Sequence, residues 1–276
     1  MKKIKKIYEA LQMELREHKT SFIVYFVLRI LVIIVMISQL FKGHYENVFY
    51  CLLTLILLII PSFLQVTFKI ELPTTLEIII LLFIFSAEIL GEVHDYYYLI
   101  PNWDIILHTL NGFLAAAVGF SLVNLLNESD RFQFTLSPLY LTIVAFCFSM
   151  TIGVIWEFFE FAMDYWFGLN MQKDVIINSI NTIPTINGGY ISINGINEVI
   201  VNGYTLPIKG YIDIGLIDTM EDLLVNFIGA SVFSIFGYFY SKNPNKRAFV
   251  QRFIPTKKEK NKDYLKKVFR KKENQD

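Results

Sequence analysis

Residues 138–167 read PLYLTIVAFCFSMTIGVIWEFFEFAMDYWF. The stretch has no Lys or Arg, and its first acid is Glu157. A bilayer's hydrocarbon core is roughly 30 Å thick, and about 20 helical residues cross it. This run is long enough to do so, and Pro138 stands where a helix can begin. Its last turns carry Glu157, Glu160 and Asp164. Helical spacing puts these three on one face.

Five further apolar runs of the same kind lie at 21–41, 47–66, 74–99, 103–126 and 216–240. Pro61 is expected to kink or end the second, while Pro73 and Pro101 stand near helix starts. The chain of 276 residues is 54% hydrophobic, with a mean hydropathy of +0.46. Soluble domains sit near roughly 45–50% apolar. The expected fold is all-α and membrane-embedded: a bundle of six transmembrane helices over residues 21–241. Residues 1–20 form an amphipathic cytoplasmic segment, with Ile4, Ile7, Tyr8, Leu11 and Leu15 on one helical face. Residues 242–276 form a basic cytoplasmic tail. The first apolar run follows a charged stretch and spans by itself, so it reads as an uncleaved first helix.

Net charge is zero, but the charges are segregated. Of 25 Lys and Arg, six lie in the first twenty residues and thirteen from Lys242 onward. Basic segments beside spans mark the cytoplasmic side, so both tails are placed there, which requires an even number of spans. Such segments also attract anionic lipid; no nucleic-acid partner is expected. Cys51 and Cys147 fall inside apolar runs, which excludes a disulfide framework and leaves them as small core residues.

Residues 168–215 separate the last two spans and are rich in Asn, Gly, Ile and Thr. Short alternating runs are divided by Asn187-Gly188, Asn194-Gly195 and Asn202-Gly203. This is a strong hairpin signal, so a β-hairpin-like extracytoplasmic insertion is expected between the fifth and sixth helices.

The chemistry-bearing residues gather in the last four spans. The third carries Glu88, Glu92 and Asp95 with His94, and the fourth opens on Asp104, His108 and Asn111. The fifth carries Glu157, Glu160 and Asp164, and the sixth Asp218, Asp222 and Asn226. Each set keeps one helical face. With both tails inside, all four sets fall at the outer level of the membrane. An acid at bilayer depth costs about 2.5–3.5 kcal/mol, so these should face inward and share protons or a cation. Asp104, His108, Glu157, Glu160, Asp218 and Asp222 are the candidate metal ligands, Asp164 and Glu92 the candidate general bases, and Glu88 and Asn226 supporting residues. Oxygen ligands favour Mg²⁺, Mn²⁺ or Ca²⁺, and the imidazole leaves Zn²⁺ open. Acids near a helix end also reach interfacial water or cap neighbours, and that plainer role stands beside the metal site. Trp103, Trp156 and Trp166 read as an interfacial belt. No P-loop, dinucleotide fingerprint or Gly-x-Ser-x-Gly elbow occurs, which argues against an ATPase, a dehydrogenase or a typical serine hydrolase.

Four motifs in order carry a resemblance: Trp103-Asp104 with His108 and Gly112-Phe113; Trp156-Glu157-Phe158-Phe159-Glu160 with Asp164; Asn170-Met171-Gln172; and Asp218-Thr219 with Asp222-Leu223, Asn226 and Gly229-Ala230. Between about Glu88 and Tyr240 the chain resembles the YjdF-like family of bacterial membrane proteins. Its last motif resembles VanZ-like proteins more distantly. The resemblance implies a multi-pass protein of the bacterial plasma (inner) membrane and supplies no activity. The chain departs from the family pattern in the loop, where about forty residues intervene between the Asn-Met-Gln and Asp-Thr motifs.

Three functions are open at this stage. The first is a metal-dependent enzyme acting on a lipid or cell-envelope precursor at the outer leaflet. The second is a proton- or cation-coupled transporter, in which intramembrane acids act as relays. The third is a non-catalytic binding or structural membrane protein.

Overall fold

The computed structural model describes residues 2–127, 136–242, 251–259 and 262–273. Of the expected basic tail, residues 243–250, 260–261 and 274–276 lie outside these. The chain is mostly helical with small two-stranded sheets. Among the described residues, five helical stretches are long and apolar enough to cross a membrane: Lys19–Lys42, Tyr45–Phe68, Trp103–Asn124, Pro138–Phe167 and Leu216–Lys242. They match five of the six expected runs. In chain order the helices are α1 (Lys2–Leu15), α2 (Lys19–Lys42), α3 (Tyr45–Leu57), α4 (Ile60–Phe68), α5 (Thr74–Phe85), α6 (Tyr96–Leu99), α7 (Trp103–Asn127), α8 (Pro138–Phe167), α9 (Leu216–Lys242) and α10 (Tyr264–Glu273). The second run breaks between α3 and α4 just ahead of Pro61, whose ring fits only a first helical turn.

The expected run over 74–99 is different. α5 passes into a π-helical segment, Ser86–Val93, and the chain then turns at Asp95, whose φ of 59° is left-handed. The short α6 follows. Packing explains the break. Gly91 lies so close to the Tyr97 ring that a side chain there would collide with it, and Tyr96 packs edge-on against Trp103 at 5.2 Å. A π-helical turn changes the direction of the side chains it carries. Here they include Glu88, which is buried, and Glu92, which is half-buried.

The chain forms two compact units. The first comprises Met1–Ile152 and Val225–Asp276. Its core joins Ala116, Ala117 and Phe120 of α7 to Leu141 and Ala145 of α8 and to Ala230 and Phe233 of α9. Small residues let these helices touch backbone to backbone, the usual device where lipid removes the hydrophobic drive. A Cβ on Gly112 would land on the Asn226 carbonyl, and one on Gly229 on the Thr109 carbonyl. Polar clamps complete the crossing. Asn111 donates Nδ2–H to Asn226 Oδ1 at 3.1 Å, and Ser149 Oγ donates to the Gly112 carbonyl at 2.7 Å.

The basic C-terminal segment does not hang free where it is described. Strand β1 (Ile70–Glu71) pairs antiparallel with Thr256–Lys257, and α1 packs on α10 around Ala10, Val66 and Tyr264. Lys258 forms a buried ion pair with Glu14. Burial pushes the Glu14 carboxyl above its ordinary range against the pull of Lys258. Lys262 bridges Glu71 at 2.8 Å and Glu17 at 3.3 Å, and Lys69 meets Asp263 at 3.2 Å. Removing one member of a buried pair costs about 3–5 kcal/mol, because the other charge stays buried alone. Lys258→Met should therefore release this segment, read as faster amide exchange over 256–273. The double change Glu14→Leu with Lys258→Met should restore protection.

The second unit is Gly153–Leu224. Between its two helix ends, β2 (Val175–Ile177) pairs with Tyr211–Asp213 and closes the base of the insertion. Beyond that base stand two hairpins: Ser179–Pro184 with Tyr190–Asn194, and Ile200–Val201 with Tyr204–Thr205. The expected hairpins are thus present. Asn202 (φ 52°) and Gly203 (φ 80°) both take the left-handed backbone that a tight two-residue turn requires. Asn194-Gly195 instead ends a strand, and the Ile196 N–H donates to the Asn178 carbonyl.

Candidate functional site

The second unit brings three acids together. Glu157 and Glu160 lie near the end of α8, and Asp222 lies two turns into α9. Glu157, Glu160 and Asp222 are 4%, 6% and 3% exposed, and one oxygen of each lies within 4.8 Å of the others. At that separation, with an effective dielectric of about 20, two full charges repel by about 3–4 kcal/mol. Three cannot all stay ionised without a proton or a cation among them. The whole stretch from Gly153 to Leu224 contains only two basic residues, Lys173 and Lys209. The Lys173 ammonium donates to the Asn170 carbonyl at 2.8 Å.

The helix ends are fixed from the backbone outward. The Asp164 carboxylate accepts the N–H groups of Met171 at 2.7 Å and Gln172 at 2.8 Å, one on each oxygen. Asp218 Oδ2 accepts the Lys173 N–H at 2.8 Å, and Gln172 Nε2 donates to Thr219 Oγ1 at 2.6 Å. Asp213 accepts the Ile217 N–H at 2.8 Å, capping the start of α9. Residues 170–173 thereby stitch the end of α8 to the start of α9. Trp156 Nε1–H donates to Glu160 Oε1 at 2.8 Å and holds that carboxylate in place. Burial, then the negative charges of Asp164 and Asp213, push the Asp174 carboxyl above its ordinary range. Asp164→Ala should leave two backbone donors without their acceptor, a loss of about 1–3 kcal/mol for each donor buried by the fold. Its expected sign is protease cleavage between Gly168 and Asp174, with Asp164→Asn intermediate.

The sequence-derived candidates now separate. Glu157, Glu160 and Asp222 converge. Asp164 accepts a loop backbone N–H on each oxygen and so positions the loop. Asp218 likewise holds a backbone donor. In the first unit, Asp104 Oδ1 lies 3.4 Å from His108 Nε2 on α7. Asn226 is buried and serves the crossing with Asn111. Glu88 and Glu92 lie in the π-helical segment. Sequence reasoning assigned Trp156 to an interfacial belt and missed its bond to Glu160, although the i, i+4 spacing carried that signal. It also missed the pairing of Gln172 with Thr219, which no local spacing announces.

Three carboxylates are hard oxygen ligands of the kind that hold Mg²⁺, Mn²⁺ or Ca²⁺. No curated protein and no solved structure matches the chain. Residues 23–243 do match a family model, described as a predicted membrane protein. That match covers well over half of the sequence, and the chain accordingly belongs to the DUF2238 family of predicted membrane proteins.

Proposed function

We propose that the second unit is a divalent-cation centre in a multi-pass membrane protein. Its proposed use is metal-dependent chemistry on a lipid or cell-envelope substrate. The observation that carries this is the convergence of Glu157, Glu160 and Asp222, nearly fully buried and with oxygens within 4.8 Å of one another. A bound ion would polarise a phosphoryl or carbonyl oxygen or lower the pKa of a water. The chain's own contribution is preorganisation. Trp156 orients Glu160, and Asp164, Gln172 and Asp218 lock the two helix ends that carry the acids. Sites held on locked helices keep the geometry that such chemistry needs.

The topology proposed with it keeps six membrane crossings. The broken third comprises α5 and the π-helical segment. The segregation of Lys and Arg to both ends supports cytoplasmic termini. On that arrangement the β-hairpin insertion and the acidic cluster belong to the outer face. The motifs shared with YjdF-like proteins support a place in the bacterial plasma membrane.

The test is a thermal melt of the protein purified in mild detergent, with Mg²⁺, Mn²⁺, Ca²⁺ or Zn²⁺ added singly after chelation. An ion that binds only the folded state should stabilise it by about 2.7 kcal/mol at a hundredfold excess over Kd. Equal melting with every ion and with chelator rejects the cation centre.

A further inference from the structure

A second feature lies in the first unit, between the early part of α8 and the late part of α9. There the helices part to leave a groove of about 560 Å³. The cause is readable in the sequence. Thr142, Ser231 and Ser234 place small side chains where the two helices would otherwise meet. Thr142 turns its hydroxyl back to the Pro138 and Leu139 carbonyls of its own helix, at 3.1 and 2.9 Å. The wall is mostly apolar, and Ser234 Oγ is its one buried hydroxyl without a hydrogen-bond partner among the described residues. Leu139, Ile143 and Phe146 line one side, and Ile235 and Phe239 the other. Ile143 and Ile235 are 51% and 57% exposed, so the groove is open along its length.

Its shape and its end decide what fits. From Leu139 to Phe146 the helix advances seven steps, a run of roughly 10 Å. An open apolar trough of that length suits a stretch of acyl chain better than a compact solute. The groove also has a polar end. Tyr238 lines it, and the Lys242 ammonium stands 4.5 Å from the centre of the Tyr238 ring. Among the described residues no carboxylate pairs with Lys242. Lys242 closes α9, and Leu139 lies in the first turn of α8, so the cation stands at the groove end where α8 begins and α9 ends. An amphiphile with a long apolar part and a negative head matches the trough and its end together. Bilayer lipid is the apolar material always present beside membrane-crossing helices, and anionic headgroups are its negative component.

We propose that this groove binds an anionic phospholipid, with one acyl chain between α8 and α9 and the headgroup phosphate at Lys242. The topology above affects only which leaflet supplies it, namely the cytoplasmic one. The site is independent of the acidic cluster, so either can fail without the other.

The test is native mass spectrometry of the detergent-purified protein, titrated with dioleoyl phosphatidylglycerol and, separately, with dioleoyl phosphatidylethanolamine. The wild type should retain phosphatidylglycerol in preference. Lys242→Gln should weaken phosphatidylglycerol binding roughly fivefold and leave phosphatidylethanolamine unchanged, since one interfacial Lys contributes about 1 kcal/mol toward an anionic surface. Filling the trough with Ile143→Trp and Ile235→Trp should lower retention of both lipids. Equal retention of the two lipids by the wild type overturns the proposal, as does an unchanged Lys242→Gln. A wild-type dimer that persists without lipid and dissociates in the tryptophan variant also overturns it, by assigning the groove to a second copy. If the tryptophan variant fails to fold in detergent, Lys242→Gln, which alters one exposed side chain, decides alone.

Discussion

If the proposed cation centre holds a divalent ion, Glu157→Gln and Asp222→Asn should each strip the protein of it while leaving it folded. Both exchanges keep the shape of the side chain and remove one anionic oxygen ligand. Losing an outer partner of a metal ligand already costs roughly 10–100-fold in affinity, and losing a ligand itself costs more. Metal content after purification in mild detergent should therefore fall from one ion per chain to a trace. Trp156→Phe removes only the bond that orients Glu160, so it should weaken the ion by about 10–100-fold without abolishing it. The same variants expose the rival arrangement. If shared protons and no ion offset the three charges, neutralising Glu157 relieves repulsion. Glu157→Gln would then melt higher than the wild type, with no change in metal content. That result would sink the cation centre and move the weight to proton coupling.

The second large effect is expected at the α7–α9 crossing. Gly112→Leu and Gly229→Leu should each prevent stable packing of the first unit. Even alanine should be costly at these two positions. The added carbon would meet the main-chain carbonyl of Asn226 or Thr109, and a carbonyl locked in a helix cannot swing aside. Overpacking of a rigid contact costs about 1–3 kcal/mol, and a larger side chain more. Gly237→Ala supplies the contrast. Its Cβ would lie 3.2 Å from the edge of the Phe120 ring, and a ring edge can give by a few tenths of an ångström. Thermal melting in one detergent should rank Gly237→Ala mildest, the two alanine variants next, and the leucine variants as failures to accumulate. A tolerated Gly112→Leu would show that α7 and α9 do not approach this closely.

How much of this was legible beforehand varied with the range of the interaction. Runs of apolar residues located the helices well: the stretch 138–167 and the start at Trp103 fall where expected, and Pro61 marks the break between α3 and α4. Asn202-Gly203 announced its turn because two left-handed residues in sequence are a local requirement. The interruption at Ser86–Val93 was not legible. Its apolar count is that of a continuous span, and the break depends on how Gly91 meets Tyr97 and Tyr96 meets Trp103. The folded C-terminal segment was hidden for another reason. Its composition is that of a solvated basic tail, and Lys258 finds Glu14 across 244 residues of chain. At the candidate site, helical spacing chose Glu157 and Glu160 correctly as neighbours. It could not foresee that Asp164 accepts two backbone N–H groups, because an acid on that face looks the same from the sequence whatever donor it meets.

The pairing of Val175–Ile177 with Tyr211–Asp213 has an evolutionary and practical corollary. Ile177 sits directly across from Tyr211, so the chain enters and leaves the hairpin insertion at one point. Everything between is a cassette whose length is invisible to the residues beneath it. Insertion, loss or exchange of the hairpins leaves the stitch of Gln172 to Thr219 and of Lys173 to Asp218 intact. Descendants of one ancestor can therefore diverge freely in this segment while keeping the same carboxylates. An experimenter can use the same tolerance, joining Ile177 to Tyr211 by a two-residue turn or grafting a fluorescent or affinity module there.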